Sequence, residues 1–250
     1  LARPCTERGN RVYCHPRLFN GQGDLLYRNR GDGTFEDVSE RSGISLGGAN
    51  DGKGLGVLAA DFDGDGLQDL YVANDTTSNF LWRNRGDGTF VDVAYEWGVA
   101  LSSAGRTQAG MGVDGADLNG DGWLEIHVTN FSRETNNLFM REAPGSYTEA
   151  VQGSSLGRSF DRLGFGTVFG DFDLDGDLDL SIANGHVDDL VEINSRETGI
   201  SYLQPPDLLL NDGKGRFSPA LQPGAAFGKE YVGRGLASAD YDNDGDLDLL

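Results

Sequence analysis

Short apolar runs, each opened by glycine and broken by polar turns, recur along this chain. Gly54-Leu-Gly-Val-Leu-Ala-Ala60, Gly110-Met-Gly-Val-Asp-Gly-Ala116, Gly164-Phe-Gly-Thr-Val-Phe-Gly170 and Gly233-Arg-Gly-Leu-Ala-Ser-Ala239 each read as a short buried strand. A second strand is predicted over 69–73, 125–129 and 179–183, and another begins at 248. Third strands follow at 79–83, 137–141 and 207–210, and fourth strands at 89–93, 146–149 and 216–218. Between third and fourth lie Asn84-Arg-Gly-Asp-Gly88, Glu142-Ala-Pro-Gly145 and Asn211-Asp-Gly-Lys-Gly215, which carry hairpin-turn chemistry. Four consecutive antiparallel strands recurring every ~55 residues are the unit of a β-propeller blade. The predicted fold is therefore all-β, a propeller of four-stranded antiparallel blades.

The ends of the pattern define the domain layout. Residues 24–45 match only the third and fourth strands of a unit, and 233–250 supply only a first strand, an acidic loop and the start of a second. Complete blades are expected over 52–100, 109–152 and 163–222, with an N-terminal segment over 1–23. Three complete units could close as a four-bladed ring through their termini. An apolar strand that stops at Leu250 favours instead the front part of a longer ring.

Between first and second strands sits a repeated acidic nonapeptide. Its copies are Asp61-Phe-Asp-Gly-Asp-Gly-Leu-Gln-Asp69, Asp117-Leu-Asn-Gly-Asp-Gly-Trp-Leu-Glu125, Asp171-Phe-Asp-Leu-Asp-Gly-Asp-Leu-Asp179 and Asp240-Tyr-Asp-Asn-Asp-Gly-Asp-Leu-Asp248. Side-chain oxygens fall at positions 1, 3, 5 and 9, glycine at position 6, and position 7 can offer its backbone carbonyl, as in the first half of an EF-hand loop. Carboxylates crowded within a few ångström repel by about 1 kcal/mol per pair even in water, so the loop closes around a cation. All-oxygen ligation selects calcium. The expected ligands are Asp61, Asp63, Asp65, Leu67 and Asp69; Asp117, Asn119, Asp121, Trp123 and Glu125; Asp171, Asp173, Asp175, Asp177 and Asp179; and Asp240, Asp242, Asp244, Asp246 and Asp248, making about four Ca2+ sites. The second loop is the weakest match, since Asn119 replaces an acid and Glu125 is one carbon longer.

Charge agrees with this reading. Asp and Glu number 40 against 20 Lys and Arg, a net −20, which excludes nucleic acid as a partner. No run of ~18 apolar residues is present to insert in a membrane, and Leu1-Ala2-Arg3-Pro4 has no signal-peptide pattern. Thirty-eight glycines without a Gly-X-Y period mark turns. Cys5 and Cys14 are too far apart for a redox CxxC pair and read as a small disulfide loop. Such a bridge implies an extracellular, periplasmic or cell-surface location.

At these residues the chain resembles the FG-GAP or VCBS repeat family, calcium-loop propellers that include the integrin α head. More narrowly it resembles the ASPIC/UnbV group related to cartilage acidic protein. The stretches carrying this are Val12-Tyr-Cys-His-Pro16 ahead of the 24–38 hairpin, Ala183-Asn-Gly-His-Val187, Gln204-Pro-Pro-Asp-Leu-Leu-Leu-Asn211 and the 233–249 repeat. The resemblance implies a ring of seven blades, a small C-terminal domain, calcium on the loop aspartates and extracellular binding or adhesion. His15 stands where relatives more often have glycine.

Remaining motifs have ordinary structural explanations. Arg30-Gly31-Asp32 and Arg85-Gly86-Asp87 could suggest integrin recognition, but both occupy the same blade turn. Asn74-Asp-Thr76 and Asn130-Phe-Ser132 fit a glycosylation sequon, yet Asn184 holds the equivalent place without one. His15, His127 and His186 do not cluster. Trp82, Phe90, Phe35 and Trp97 are expected between blades. The insertion at 184–206 makes His186, Asp188, Asp189, Glu192 and Arg196 candidates for a partner or extra metal site. No nucleophile-base pair is legible, so the expected function is a non-enzymatic calcium-binding module for adhesion or structure. Its partner would be a protein or glycan, with assembly alongside other copies or the extracellular matrix also open. The alternatives are a calcium-dependent enzyme on polysaccharide or phosphate substrates, or a lectin.

Overall fold

The computed structural model describes residues 5–7, 9–45, 52–150, 155–194 and 199–250. Arg196, residues 1–4 and the end of the expected 109–152 blade lie outside them. The chain opens with a hairpin of β1 (Thr6–Glu7) and β2 (Asn10–Arg11), bridged by the Cys5–Cys14 disulfide. A second hairpin, β3 (Tyr27–Asn29) and β4 (Phe35–Asp37), leads into a one-turn helix, α1 (Ser39–Ser42). The first complete blade is β5 (Gly54–Ala60), β6 (Asp69–Asn74), β7 (Phe80–Asn84) and β8 (Phe90–Asp92), closed by α2 (Ala94–Trp97). The second is β9 (Gly110–Ala116), β10 (Glu125–Asn130), β11 (Asn137–Ala143) and β12 (Ser146–Glu149). The third is β13 (Gly164–Gly170), β14 (Asp179–Asn184), then α3 (Val191–Asn194) in the insertion, β15 (Asp207–Asn211) and β16 (Phe217–Pro219). The strands β17 (Ser238–Ala239) and β18 (Asp248–Leu249) start another unit.

Each complete blade is an antiparallel meander whose spatial order is its sequence order, as a β-propeller requires. Register fixes the equivalences between blades. Leu70 pairs with Trp82, Ile126 with Phe139 and Leu180 with Leu209. Asn84, Arg141 and Asn211 therefore occupy one position, each two residues past its paired partner. Sequence comparison aligns Arg83 with Arg141 instead. The connection between second and third strands is one residue longer in the second blade, with Asn136 rather than Asn79 capping the strand before it, and this shifts the register.

Blades meet through their first strands. A Cβ on Gly56 would lie 2.3 Å from the Met111 carbonyl oxygen, one on Gly112 1.9 Å from that of Phe165, and one on Gly166 2.4 Å from the Leu236 nitrogen. In the three complete blades the second glycine of the Gly-x-Gly opening thus stands where the next unit's backbone occupies the space of a side chain. The apolar core fills the layers between blades. Phe62, Tyr71, Leu81, Ile126, Phe139 and Trp97 pack between the first and second, and Leu118, Leu138, Leu180, Leu209 and Phe217 between the second and third. Ile44, Phe80 and Trp82 seat the β3–β4 hairpin, with Phe90 beside them; Phe35, expected in this layer, is 60 % exposed. Buried His127 places Nδ1 2.9 Å from Thr167 Oγ1 of the next blade, and burial pushes its pKa down to about 3, keeping the ring neutral.

Candidate metal centres

Every acidic loop joins the first strand of its unit to the second, and the same backbone wraps all four. Gly66, Gly122, Gly176 and Gly245 at position 6 have φ between 85° and 100°, the left-handed region that the turn demands. Position 4 is also left-handed, and there Leu174 and Asn243 adopt it at φ 61° and 62°.

The position-1 carboxylate organises the turn. Asp61 accepts N–H bonds from Gly64 at 2.7 Å, Asp65 at 3.2 Å and Gly66 at 2.8 Å. Asp117, Asp171 and Asp240 accept the corresponding bonds at positions 5 and 6. Burial tends to raise the Asp61 pKa, but the donated N–H bonds outweigh it and hold the carboxyl below its ordinary value. At position 3, Asp63, Asn119 and Asp173 accept the position-5 N–H. At position 5, Asp65, Asp121, Asp175 and Asp244 spend an oxygen on the N–H of Leu67, Trp123, Asp177 and Asp246.

Position 9 is buried in the complete blades, with Asp69, Glu125 and Asp179 each 0 % exposed. Asp69 accepts the Phe62 N–H at 3.1 Å and the Asn84 N–H at 2.7 Å; Asp179 accepts those of Phe172 at 3.1 Å and Asn211 at 2.9 Å. Desolvation raises the pKa of both, partly offset by these bonds, and nearby position-3 and position-5 aspartates raise it further. In Glu125 desolvation pushes it up to about 7. An adjacent cation would remove the like-charge repulsion that these groups share.

Oxygens bound to one calcium at ~2.4 Å can be no more than about 4.8 Å apart. Carboxylate oxygens of Asp61, Asp63 and Asp69 meet that limit, as do those of Asp171, Asp173 and Asp179, and of Asp240, Asp242 and Asp248. These three triads, positions 1, 3 and 9, fit a hard cation held by oxygen. Asp65, Asp175, Asp177, Asp244 and Asp246 lie outside the triads. The second loop folds the same way, but Asn119 leaves it without a third carboxylate in the group, the departure its sequence signals.

Residues outside the nonapeptides tie the loops together. Arg141 Nη1 donates to the Phe62 carbonyl, and Asn211 Nδ2 donates to the Leu118 carbonyl at 2.9 Å. Both acceptors are position 2 of the preceding blade's loop. Through Phe62, Arg141, Glu125, Leu118, Asn211 and Asp179, one hydrogen-bonded path joins three successive acidic loops. Sequence reading treats Asn84 and Asn211 only as turn residues. Their position next to a glycine turn was visible, but the reach of Asn211 into another blade was not.

At the opposite end of the blades lies a cavity of about 1280 Å3. His186 and Asp188 from the insertion line it with Asp75, Glu134, Phe165 and Arg234, whereas Asp189 and Glu192 do not. Both Arg-Gly-Asp aspartates serve their turns: Asp32 and Asp87 each bond a threonine N–H at 2.9 Å and its hydroxyl at 2.6 Å. Asn74, Asn130 and Asn184 are buried, each with its Nδ2 donating to a backbone carbonyl. A common structural asparagine explains all three positions.

The family model described as FG-GAP-like repeat matches residues 17–72, 61–128, 117–182 and 188–250. Cartilage acidic protein 1 of Homo sapiens is 29% identical over 227 residues, covering 89% of this chain and 31% of that protein. The Xenopus tropicalis protein of the same name is 29% identical over 206 residues, covering 79% and 28%. The chain thus spans less than a third of the length of these relatives. A solved structure of an Agrocybe aegerita lectin, described as recognising non-reducing terminal N-acetylglucosamine, is 20% identical with a TM-score of 0.43, covering 80% of this chain and 46% of that one.

Proposed function

The chain belongs to the FG-GAP-like repeat family, and on that premise we propose that it is a calcium-stabilised, extracellular binding or structural module that works without catalysis. The observation carrying this reading is the set of three carboxylate triads within the span of one calcium coordination sphere. Asp61, Asp63 and Asp69 would hold an ion in the first loop, Asp171, Asp173 and Asp179 in the third, and Asp240, Asp242 and Asp248 in the fourth. Bound calcium would turn mutual repulsion into cohesion at the first hairpin of each blade. The Cys5–Cys14 disulfide supports an oxidising compartment. The cavity opposite the acidic loops supports partner binding at that end, away from the metal.

Exhaustive chelation followed by calorimetry and elemental analysis tests the reading. At free calcium a hundredfold above Kd, each site adds about 2.7 kcal/mol. In a chain of this size that corresponds to a melting temperature lower by roughly 5–10 °C per vacated site. An unchanged melt, with no calcium found before chelation, would refute it.

A further inference from the structure

The register that aligns the blades also sorts the loops by charge. The last two residues of β7 are Arg83 and Asn84, and the blade-three equivalents are Leu210 and Asn211; in blade two the pair is Met140 and Arg141. Arginine therefore enters this ring of positions in blades one and two and is absent from it in blade three. Each arginine faces an acidic loop. Arg83 Nε lies 3.8 Å from Asp63 Oδ2. Arg141 is 5 % exposed, donates to the Phe62 carbonyl of loop one and stacks 3.7 Å from the ring centre of Trp123 in loop two.

Arg141 has no carboxylate within ion-pair distance among the described residues, and its Nη2 has no hydrogen-bond partner. A buried guanidinium without a paired acid is costly unless a nearby negative field compensates it. Loops one and two, which it touches, are the source of that field. The same compensation works in reverse, because a guanidinium beside an acidic loop opposes the arrival of a divalent ion. The carboxylate inventory runs parallel: four and three acids at the odd positions of loops one and two, five each in loops three and four.

We infer that the loops form two classes, with loops one and two partly neutralised by Arg83 and Arg141 and weak for calcium, and loops three and four tight. This rests on the calcium reading above and adds an order of filling to it. The separation should be roughly tenfold or more in Kd, the scale of Coulomb repulsion between a unit and a double charge several ångström apart in a largely aqueous dielectric.

Calcium chloride titrated calorimetrically into chelator-stripped protein tests the inference, with Arg83→Met and Leu210→Arg as reciprocal variants. Both exchange a residue for one found at the same place in another blade. The expected isotherm has a tight and a weak class, Arg83→Met tightens a weak site about tenfold, and Leu210→Arg weakens a tight one comparably. Arg83 is partly exposed, so its replacement leaves folding intact. Sites of one affinity, or an isotherm that neither variant moves, would overturn the inference and leave the calcium reading standing. Absence of any binding heat together with no calcium by elemental analysis overturns both.

Discussion

Asn211 Nδ2 donates to the Leu118 carbonyl at 2.9 Å, tying the end of a third strand to the acidic loop of the blade before it. The same amide reaches the Leu178 carbonyl at 3.1 Å, and its oxygen accepts the Gly215 N–H at 3.0 Å. One side chain thereby closes a hairpin, braces its own acidic loop and holds the neighbouring one.

Replacing Asn211 with alanine strands the buried Leu118 carbonyl, the half-buried Leu178 carbonyl and the Gly215 N–H. The expected loss is about 1–3 kcal/mol, read as a melting temperature lower by roughly 2–4 °C for each kcal/mol. A melt equal to that of the parent would show that the tie between blades carries no weight.

Glycine at the blade seam gives a sharper contrast. Gly112→Ala places a methyl group 1.9 Å from the Phe165 carbonyl oxygen, so two first strands must separate. A loss of about 1–3 kcal/mol is expected. At Gly157, which follows the second blade, an added Cβ meets nothing within 4 Å, and Gly157→Ala should stay within about 0.5 kcal/mol. Denaturant midpoints of the two variants, measured side by side, check this difference.

Positions 3 and 9 of one loop should separate metal affinity from folding. Asp173 is exposed, and Asp173→Asn is expected to weaken calcium binding while leaving the chelated protein's melt unchanged. Asp179 is buried and accepts the Phe172 and Asn211 N–H groups on separate oxygens. Asp179→Asn turns an NH2 toward one of those donors, so it should also destabilise the chelated protein by about 1–3 kcal/mol. Equal melts of the two chelated variants would contradict the bracing role of position 9.

Acid should loosen the insertion through His186. Burial lowers its pKa below the ordinary 6.5, assisted by Arg234 and opposed by the Asp188 hydrogen bond and charge. Its Nδ1 accepts the Asp188 N–H at 3.0 Å, a bond lost when that nitrogen is protonated and replaced only by a longer one to the Asp188 carbonyl, 3.4 Å away, which is the contact that opposes the drop. Because the folded pKa is depressed, the stabilisation is complete above about pH 6.5 and declines as pH falls toward the folded value. Protection factors of the Asp188 and Leu190 amides, which correct for the slower intrinsic exchange in acid, should fall across this window in the parent, whereas His186→Gln should show little added pH dependence. Identical pH profiles in both proteins would remove His186 from the account.

The all-β fold of four-stranded antiparallel units was readable from the sequence because it depends on local rules. Glycine before an apolar run, aspartate at alternating positions and glycine at position 6 are fixed by turn geometry within a few residues. The meanders over β5–β8, β9–β12 and β13–β16 follow that pattern closely. Trp82 and Trp97 were also readable as core, since large apolar side chains on short strands have only the blade interfaces in which to bury. Phe35 was not, because its exposure depends on what packs beside the β3–β4 hairpin.

What the sequence determined by itself was the repeat, the hairpin turns and the acidic chemistry of each loop. The tertiary structure decided which oxygens converge, that positions 1, 3 and 9 meet while position 5 turns to the backbone, and that Arg141 and Asn211 reach into the preceding blade. The division has a physical cause. Turn and strand preferences act over neighbouring residues, whereas charge compensation and hydrogen bonds between blades depend on a register that one extra residue, between Asn130 and Asn136, is enough to shift.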